Sequence, residues 1–134
     1  MAIYHCHCQV ISRGQGRSAV AAAAYRSGEK ITNSYDGVTH DYRKKKGIVY
    51  KEIMLCENAP EEWKDRAIFW NNIEQAERDT AARLAREFEI ALPVELSTEE
   101  QIDFVRAFVH ENFVNIGMCA DFAIHDKGDG NPHC

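Results

Sequence analysis

Residues 84–93 have the sequence LAREFEIALP, in which apolar side chains recur at every second position. In an extended chain Phe88, Ile90 and Leu92 point to one side, and Glu87, Glu89 and Ala91 point to the other. Alternation with a period of two is typical of a strand that is buried on one face and polar on the other. Pro93 has no backbone N–H to donate to a ladder, so we expect the strand to end there.

Two flanking segments, residues 3–11 and 118–126, show the same alternation. Polar positions in the first carry His5 and His7, and a polar position near the end of the second carries His125. Because successive side chains of a strand point to opposite faces, these histidines should share one polar surface with Glu87 and Glu89.

Helical segments separate these strands. Ser18 is a candidate N-cap for a first helix that continues through Tyr25 and ends near Gly28. A second helix should begin between residues 60 and 65, and a capping box predicts a third helix after Ser97. With a hairpin expected over residues 36–55, the order is strand, helix, hairpin, helix, strand, helix, strand. This order predicts an α+β fold with a mainly antiparallel sheet and helices packed on one face.

The chain has 134 residues and a formal net charge of −5. That length predicts a single domain over residues 1–134. The overall charge argues against nucleic-acid binding, which relies on phosphate contacts, but the local field around grouped basic residues counts for more. The candidate DNA-binding residues are Arg13, Arg17 and Arg26 around the first helix, and Arg43, Lys44, Lys45 and Lys46 at the tip of the hairpin.

The five cysteines are an odd number and include no C-x-x-C pair. We therefore interpret them as reduced thiols. No apolar run is long enough to span a bilayer, and the N-terminus lacks the features of a signal peptide. These observations predict a cytoplasmic protein without a membrane partner.

His125 and His133 are separated by a short glycine-rich loop that could bring their rings together. Two imidazoles placed this way are a candidate divalent-metal site with open positions. Glu87 or Glu89 could then hydrogen-bond the other ring nitrogen of a ligand histidine. Tyr25 is a candidate covalent nucleophile, although a tyrosine near a helix end is more often a packing residue. Taken alone, these residues indicate a polar-faced α+β domain with a possible metal site.

Three segments of the sequence, taken together, indicate a particular protein family more specifically than any of these residues alone. Residues 1–25 begin MAIYH and pass through SRGQGRSA to Tyr25, residues 85–96 read AREFEIALPVEL, and residues 124–134 read IHDKGDGNPHC. In this order and at this spacing, the chain resembles the MobA/MobL (MobQ-type) conjugative relaxases of the wider HUH endonuclease group.

The resemblance implies an antiparallel sheet of the HUH relaxase type and assigns roles to individual positions. Tyr25 matches the transesterification tyrosine, and Glu87 matches the acidic residue beside the metal site. His125 and His133 match the first two of three metal-binding histidines. The implied activity is plasmid-mobilisation nicking of single-stranded DNA at an origin of transfer, with Mg²⁺, Mn²⁺ or another divalent ion as cofactor. Tyr25 would take the 5′-phosphate and leave a free 3′-hydroxyl, and accessory mobilisation proteins are further expected partners.

The family motif ends His-x-His, whereas this sequence reaches Cys134 where the third ligand would come next. We therefore expect a relaxase domain truncated on its C-terminal side. One alternative is a non-catalytic single-stranded DNA-binding module derived from a relaxase. Another is a metal-binding or structural protein that uses His5, His7 and the cysteines. A rolling-circle replication initiator would share the same chemistry on a different origin.

Overall fold

A computed structural model describes residues 5–134, so the part of the expected first strand that precedes His5 lies outside the described residues. Three helices and six strands make up this part of the chain, together with three short 3₁₀ turns. In chain order they are β1 (Cys6–Ser12), α1 (Ala19–Ser27), β2 (Lys30–Thr32), β3 (Thr39–Asp41), β4 (Ile48–Met54), α2 (Arg66–Ala76), β5 (Arg83–Ile90), α3 (Thr98–Asn112) and β6 (Ala120–His125).

Every strand pair in the described residues is antiparallel, as expected for this α+β class. β1 pairs with β5, β2 with β3, and β4 with β6. Residues 132–134 join two of these ladders. The backbones of Ile90 and Cys134 exchange two hydrogen bonds of 2.9 Å, and those of His125 and His133 exchange bonds of 2.8 and 3.0 Å. The C-terminal segment therefore lies between β5 and β6 and gives the order β1, β5, residues 132–134, β6, β4.

The expected hairpin over residues 36–55 does not form. β3 pairs instead with β2, a three-residue strand that is too short to show a periodic pattern, and β4 pairs with the distant β6. The apolar positions of β4 contribute to the core under α3, where Tyr50 and Met54 pack. The basic run 43–46 consequently occupies a loop between two ladders rather than the tip of one hairpin.

Helices cover both faces of the joined sheet, so the expectation that they pack on one face is corrected. On β6, Phe122 and Ile124 pack against Val105 and Val109 of α3. The intervening Asp121 points the other way and accepts hydrogen bonds from α2. β6 is therefore a central strand buried on both sides, which the alternation of polar and apolar residues in its sequence did not reveal.

Local signals place the helix ends where the sequence predicts. The Ser18 side chain accepts a hydrogen bond from the backbone N–H of Ala21, and Ser97 with Glu100 forms a complete capping box at α3. Gly28 ends α1 in the left-handed conformation with φ of 67°. A side chain at Gly28 would also collide with Ile48, so glycine lets the end of α1 approach β4 closely.

A buried carboxylate fixes the other end of α1. The side chain of Glu74, on α2, is 1% exposed and forms an ion pair of 2.9 Å with Arg13. Its Oε1 atom accepts hydrogen bonds from the backbone N–H of Ala19 at 2.8 Å and from the Ser18 hydroxyl at 2.9 Å. A negative charge at a helix N-terminus satisfies otherwise unpaired N–H groups, so Glu74 ties α1 to α2.

None of the helices within residues 5–134 combines the length and the apolar composition of a membrane-spanning segment.

Candidate active site

The polar surface expected from strand parity is formed by residues that lie opposite one another in the ladders. His7 pairs with Glu89 and Gln9 with Glu87, while His133 bridges Ala91 on one side and His125 on the other. Directly opposed residues in antiparallel strands point to the same face of the sheet. The side chains of these two ladders and of the segment between them therefore share one face. α1 crosses this face and brings Tyr25 and Arg26 to it.

The two candidate metal-binding histidines are neighbours. Their ring centroids are 5.2 Å apart, with the planes at 76°. His125 Nε2 lies 2.8 Å from the Arg26 carbonyl oxygen, and His133 Nδ1 lies 3.1 Å from the Asn131 carbonyl oxygen. Because a carbonyl oxygen only accepts, each of these nitrogens carries the hydrogen. The lone pair of each ring is thus on its other nitrogen.

His125 is held in its neutral form by its surroundings. Burial lowers its pKa below the ordinary value of 6.5, and the positive charges of Lys45 and Arg26 and the neighbouring His133 lower it further. The hydrogen bond to the Arg26 carbonyl acts in the opposite direction but does not outweigh them. A neutral imidazole with one anchored N–H is the form that binds a metal ion.

Glu87 does not contact the histidines but lies within a cluster of basic and polar side chains. Arg26 donates to it at 2.7 Å, Arg17 at 3.3 Å and Gln9 at 2.7 Å. Burial alone raises the pKa of Glu87, but the charge of Arg26 and the hydrogen bonds from all three partners outweigh it and hold the pKa below its ordinary value. Glu87 is therefore a carboxylate at neutral pH, with both oxygens occupied.

Tyr25, three residues before Gly28, is 55% exposed. Its ring meets the edge of Tyr42 at a centroid distance of 5.2 Å. The ammonium group of Lys45 lies 3.5 Å from the centre of the Tyr25 ring and donates to the Tyr25 carbonyl at 2.9 Å. The phenol is thus oriented by an aromatic contact and a cation–π contact. An exposed tyrosine that is held by its neighbours differs from the packing residue considered as the alternative.

Lys45, the cation that contacts this tyrosine, is itself influenced by the charges of two further basic residues. Partial burial lowers the pKa of Lys45, and the charges of Lys127 and Arg26 lower it further. Lys127 follows β6, and its side chain packs beside Gly47 in the same loop as Lys45. Arg26 is paired with Glu87, but no ion pair of Lys45 or Lys127 is found among the described residues, so these two charges create a positive potential suited to phosphate.

Sequence reasoning missed three residues of this surface, namely Gln9, Tyr42 and Lys127. Lys127 could have been found, because it lies two residues after His125 in the loop that leads to His133. Tyr42 immediately precedes the basic run and could have been singled out on the same ground. Nothing in the sequence connects Gln9 with Glu87 except their positions on two strands whose register was not known.

The remaining basic candidates have different surroundings. The guanidinium of Arg13 donates to carbonyl oxygens of Glu77 and Asp79 and pairs with Glu74, away from the histidines. Arg43 is exposed and forms a two-pronged ion pair with Asp41, at 2.7 and 2.9 Å. Lys44 and Lys46 are exposed, and neither forms an ion pair within the part of the chain that the structure describes.

The two histidines offer the nitrogen donors that divalent transition metals accept, and their lone pairs remain available. Between His5 and Cys134, no group of three His, Cys, Asp or Glu side chains is arranged to hold a metal ion. This chain therefore fits a metal through His125 and His133 only, with further ligands needed. The described residues also contain no cluster of His5, His7 and cysteines, which the alternative of a metal-binding or structural protein would require.

The fold of this chain is closely similar to that of a solved protein structure. The chain superposes with a TM-score of 0.92 on a solved structure described as "Molecular Basis of Vancomycin Resistance Transfer in Staphylococcus aureus". The superposition covers 98% of this chain and 67% of that one, at 33% sequence identity.

The MobA/MobL family matches residues 17–134, and the chain belongs to this family. It is 41% identical, over 144 residues, to the conjugal transfer protein TraA of Rhizobium radiobacter. It is likewise 41% identical, over 125 residues, to the mobilization protein MobL of Acidithiobacillus ferridurans. Identity to the probable mobilization protein MobA of Bifidobacterium longum is 35% over 134 residues. The family resemblance stated from the sequence is confirmed.

These matches cover 99%, 93% and 99% of this chain. They cover much less of the relatives, namely 13% of TraA, 32% of MobL and 24% of MobA. The chain thus corresponds to a minor part of each relative, and what the whole relatives do is a matter of proposal for this chain.

Proposed function

We propose that this chain is the relaxase part of a plasmid mobilisation system and that it nicks single-stranded DNA at an origin of transfer. The observation that carries the proposal is the position of Tyr25, which is exposed, lies against Lys45, and immediately precedes Arg26, whose carbonyl contacts His125. Membership of a family of mobilisation and conjugal-transfer proteins supports the choice of DNA as substrate. Relaxation of plasmid DNA through a covalent protein intermediate is the reaction that this arrangement suits.

In the proposed reaction the Tyr25 hydroxyl oxygen attacks the phosphorus of the scissile phosphodiester. A bond forms between the phenol oxygen and phosphorus as the bond from phosphorus to the 3′ oxygen breaks. The phenolic proton is lost, and the departing 3′ oxygen takes up a proton to become a free hydroxyl. The 5′-phosphate remains on Tyr25 as a phosphodiester, so the energy of the broken bond is kept for rejoining.

We propose that His125 and His133 hold a divalent ion, Mg²⁺ or Mn²⁺, through the ring nitrogens that carry lone pairs. Such an ion would polarise a phosphate oxygen and stabilise the charge that develops there. The two backbone hydrogen bonds to the rings keep each imidazole in the tautomer that a metal ligand requires. The depressed pKa of His125 keeps it neutral at neutral pH, which favours binding.

We assign phosphate binding to Arg26, Lys45 and Lys127, of which Lys45 contacts the Tyr25 ring and Arg26 is paired with Glu87. Single-stranded DNA presents one negative charge per nucleotide, and open polar surfaces with aromatic rings bind it by charge and stacking. Glu87 acts as a positioning residue, because its Oε2 atom accepts a hydrogen bond from the guanidinium of Arg26 at the end of α1, while its Oε1 atom accepts from Gln9 and Arg17.

The test is covalent capture. The protein is incubated with Mn²⁺ and a single-stranded oligonucleotide spanning the transfer origin of its own plasmid, labelled on the 3′ side of nic. We expect a labelled band that survives denaturation and disappears in Tyr25→Phe. Tyr35→Phe, which removes the hydroxyl of another exposed tyrosine, is the matched control and should retain the band.

Two results would contradict nicking. Binding of the oligonucleotide that Tyr25→Phe leaves unchanged, with no covalent band in either protein, would favour a non-catalytic single-stranded DNA-binding module. A covalent band that persists in Tyr25→Phe would show that another residue is the nucleophile.

A further inference from the structure

Two cysteines lie in direct contact where β4 ends and β6 begins, at the end of β6 opposite to His125. Cys56 follows β4 and Cys119 precedes β6, and these two strands pair along their length. Their sulfur atoms are 3.2 Å apart, and the backbone N–H of Cys56 donates to the sulfur of Cys119 at 3.4 Å. Both thiols are free and partly exposed.

We propose that Cys56 and Cys119 are a thiol-oxidation site, which a small-molecule disulfide such as oxidised glutathione converts to an intramolecular disulfide. This inference does not rest on the proposed nicking activity. A sulfur separation of 3.2 Å leaves about 1.2 Å of movement to reach the bond length of about 2.05 Å. A shift of this size is available to side chains at strand ends, where ladder bonds no longer fix the backbone.

The remaining cysteines lack such a partner. Cys6 and Cys8 are exposed and lie on one face of β1, two residues apart, which separates them by about 6.6 Å along the strand. Cys134 pairs with Ile90 through its backbone, and burial raises the pKa of its thiol to about 11. The contact between Cys56 and Cys119 is thus specific among the five cysteines of the chain.

An oxidant can reach the pair from solvent. Cys119 borders an apolar groove of about 280 Å³ between β5 and β6, whose walls include Phe88, Phe113 and Phe122. Burial raises the pKa of Cys119, so its thiol is mostly protonated at neutral pH. Oxidation should therefore become faster as the pH rises, since the thiolate is the attacking species.

The reaction proceeds by two exchanges. One protein thiolate attacks a sulfur of the oxidant, forms a mixed disulfide and releases one molecule of the small thiol. The second protein thiolate then attacks the protein sulfur of that mixed disulfide, which forms the bond between Cys56 and Cys119 and releases the second small thiol. The protein loses two electrons and two protons, and the oxidant gains both.

The bond would join the end of β4 to the start of β6 and close a long loop. Cross-links of this kind stabilise a fold mainly by restricting the unfolded chain. The site is six residues along β6 from His125, about 20 Å in an extended strand. We therefore expect oxidation to stabilise the domain without changing the surroundings of the histidines.

The experiment uses a Cys6→Ser, Cys8→Ser variant, which removes the two exposed strand thiols and leaves three. After treatment with oxidised glutathione, the proposal predicts one remaining thiol, a mass lower by two hydrogen atoms, and a peptide linking residues 56 and 119. The temperature of unfolding should rise, and dithiothreitol should reverse the rise. The same treatment of a protein that also carries Cys56→Ser should give neither the linked peptide nor the stabilisation.

Three results would overturn the proposal. The first is a count of three thiols after prolonged oxidation at alkaline pH. The second is a lasting glutathione adduct on Cys56 or Cys119, which would mean that the second exchange does not occur. The third is a disulfide-linked dimer, which would show that the thiols meet those of another copy rather than each other. If the Cys56→Ser protein does not fold, Cys119→Ser replaces it as the control. Peptide mapping of the oxidised Cys6→Ser, Cys8→Ser variant then shows whether residues 56 and 119 are linked.

Discussion

Replacing Glu74 by alanine should destabilise the domain far more than its place on a helix surface would indicate. Glu74 lies in the last turn of α2, where an exposed glutamate would contribute little. Here its side chain is 1% exposed and pairs with Arg13, whose own side chain is 11% exposed. Three donors at the start of α1 also bond to its Oε1 atom, from Ser18, Ala19 and Val20.

The magnitude follows from what the substitution leaves behind. Removing one member of a buried ion pair costs about 3–5 kcal/mol, because the other charge remains without its partner. Each buried N–H group left without an acceptor costs about 1–3 kcal/mol, although entering water would recover part of this. We therefore expect Glu74→Ala to lower the free energy of unfolding by about 3–5 kcal/mol.

Urea or guanidinium unfolding followed by circular dichroism measures this quantity. Glu77→Ala, at an exposed position three residues along, is the matched control and should change the free energy of unfolding by less than about 0.5 kcal/mol. A loss below about 1 kcal/mol in Glu74→Ala would refute the reasoning, because it would mean that the carboxylate neither neutralises Arg13 nor caps α1.

Further predictions concern the titrating groups. In an NMR titration, His125 should have a pKa below 6.5, and a midpoint above 6.5 would contradict this. Because the unfolded chain then binds a proton at His125 more readily than the folded chain, the domain should lose stability as the pH falls through the pKa of the unfolded state. Glu87→Gln should lower the free energy of unfolding by about 1–2 kcal/mol at neutral pH. This difference from wild type should shrink as the pH falls below 4.5 through the depressed pKa of Glu87, and equal stability at neutral pH would contradict its pairing with Arg26. At pH 8 Cys134 should react with iodoacetamide much more slowly than the exposed Cys6, because burial raises the pKa of the Cys134 thiol to about 11. Peptide mass spectrometry measures the two rates, and equal rates would contradict the raised pKa.

Local signals in the sequence were sufficient for most elements. Period-two alternation located β5 and β6, and side-chain caps located the start of α1 and α3. These signals arise from interactions within a few residues, so they can be read from the sequence. The same parity placed His125 on the face that also carries Glu87, and the short glycine-rich loop suggested that His133 lies beside it.

Long-range pairing could not be read in this way. β4 pairs with a strand about seventy residues away, and β2 is too short to show any period. The placement of α3 opposite α1 depends on β6 being buried on both faces, which follows from its central position in the sheet. Likewise, the environment of Glu87 depends on where α1 crosses β5, and no local rule predicts that Arg26 and Gln9 meet there.

The most direct test of the central claim is to identify the side chain that becomes attached to DNA. The covalent product formed with Mn²⁺ and origin-containing single-stranded DNA is digested with nuclease and protease and mapped by mass spectrometry. The account predicts a nucleotide joined through its 5′-phosphate to the peptide that contains Tyr25, in the wild type and in Tyr35→Phe alike. Attachment at Tyr42, at another residue, or through a 3′-phosphate would contradict it.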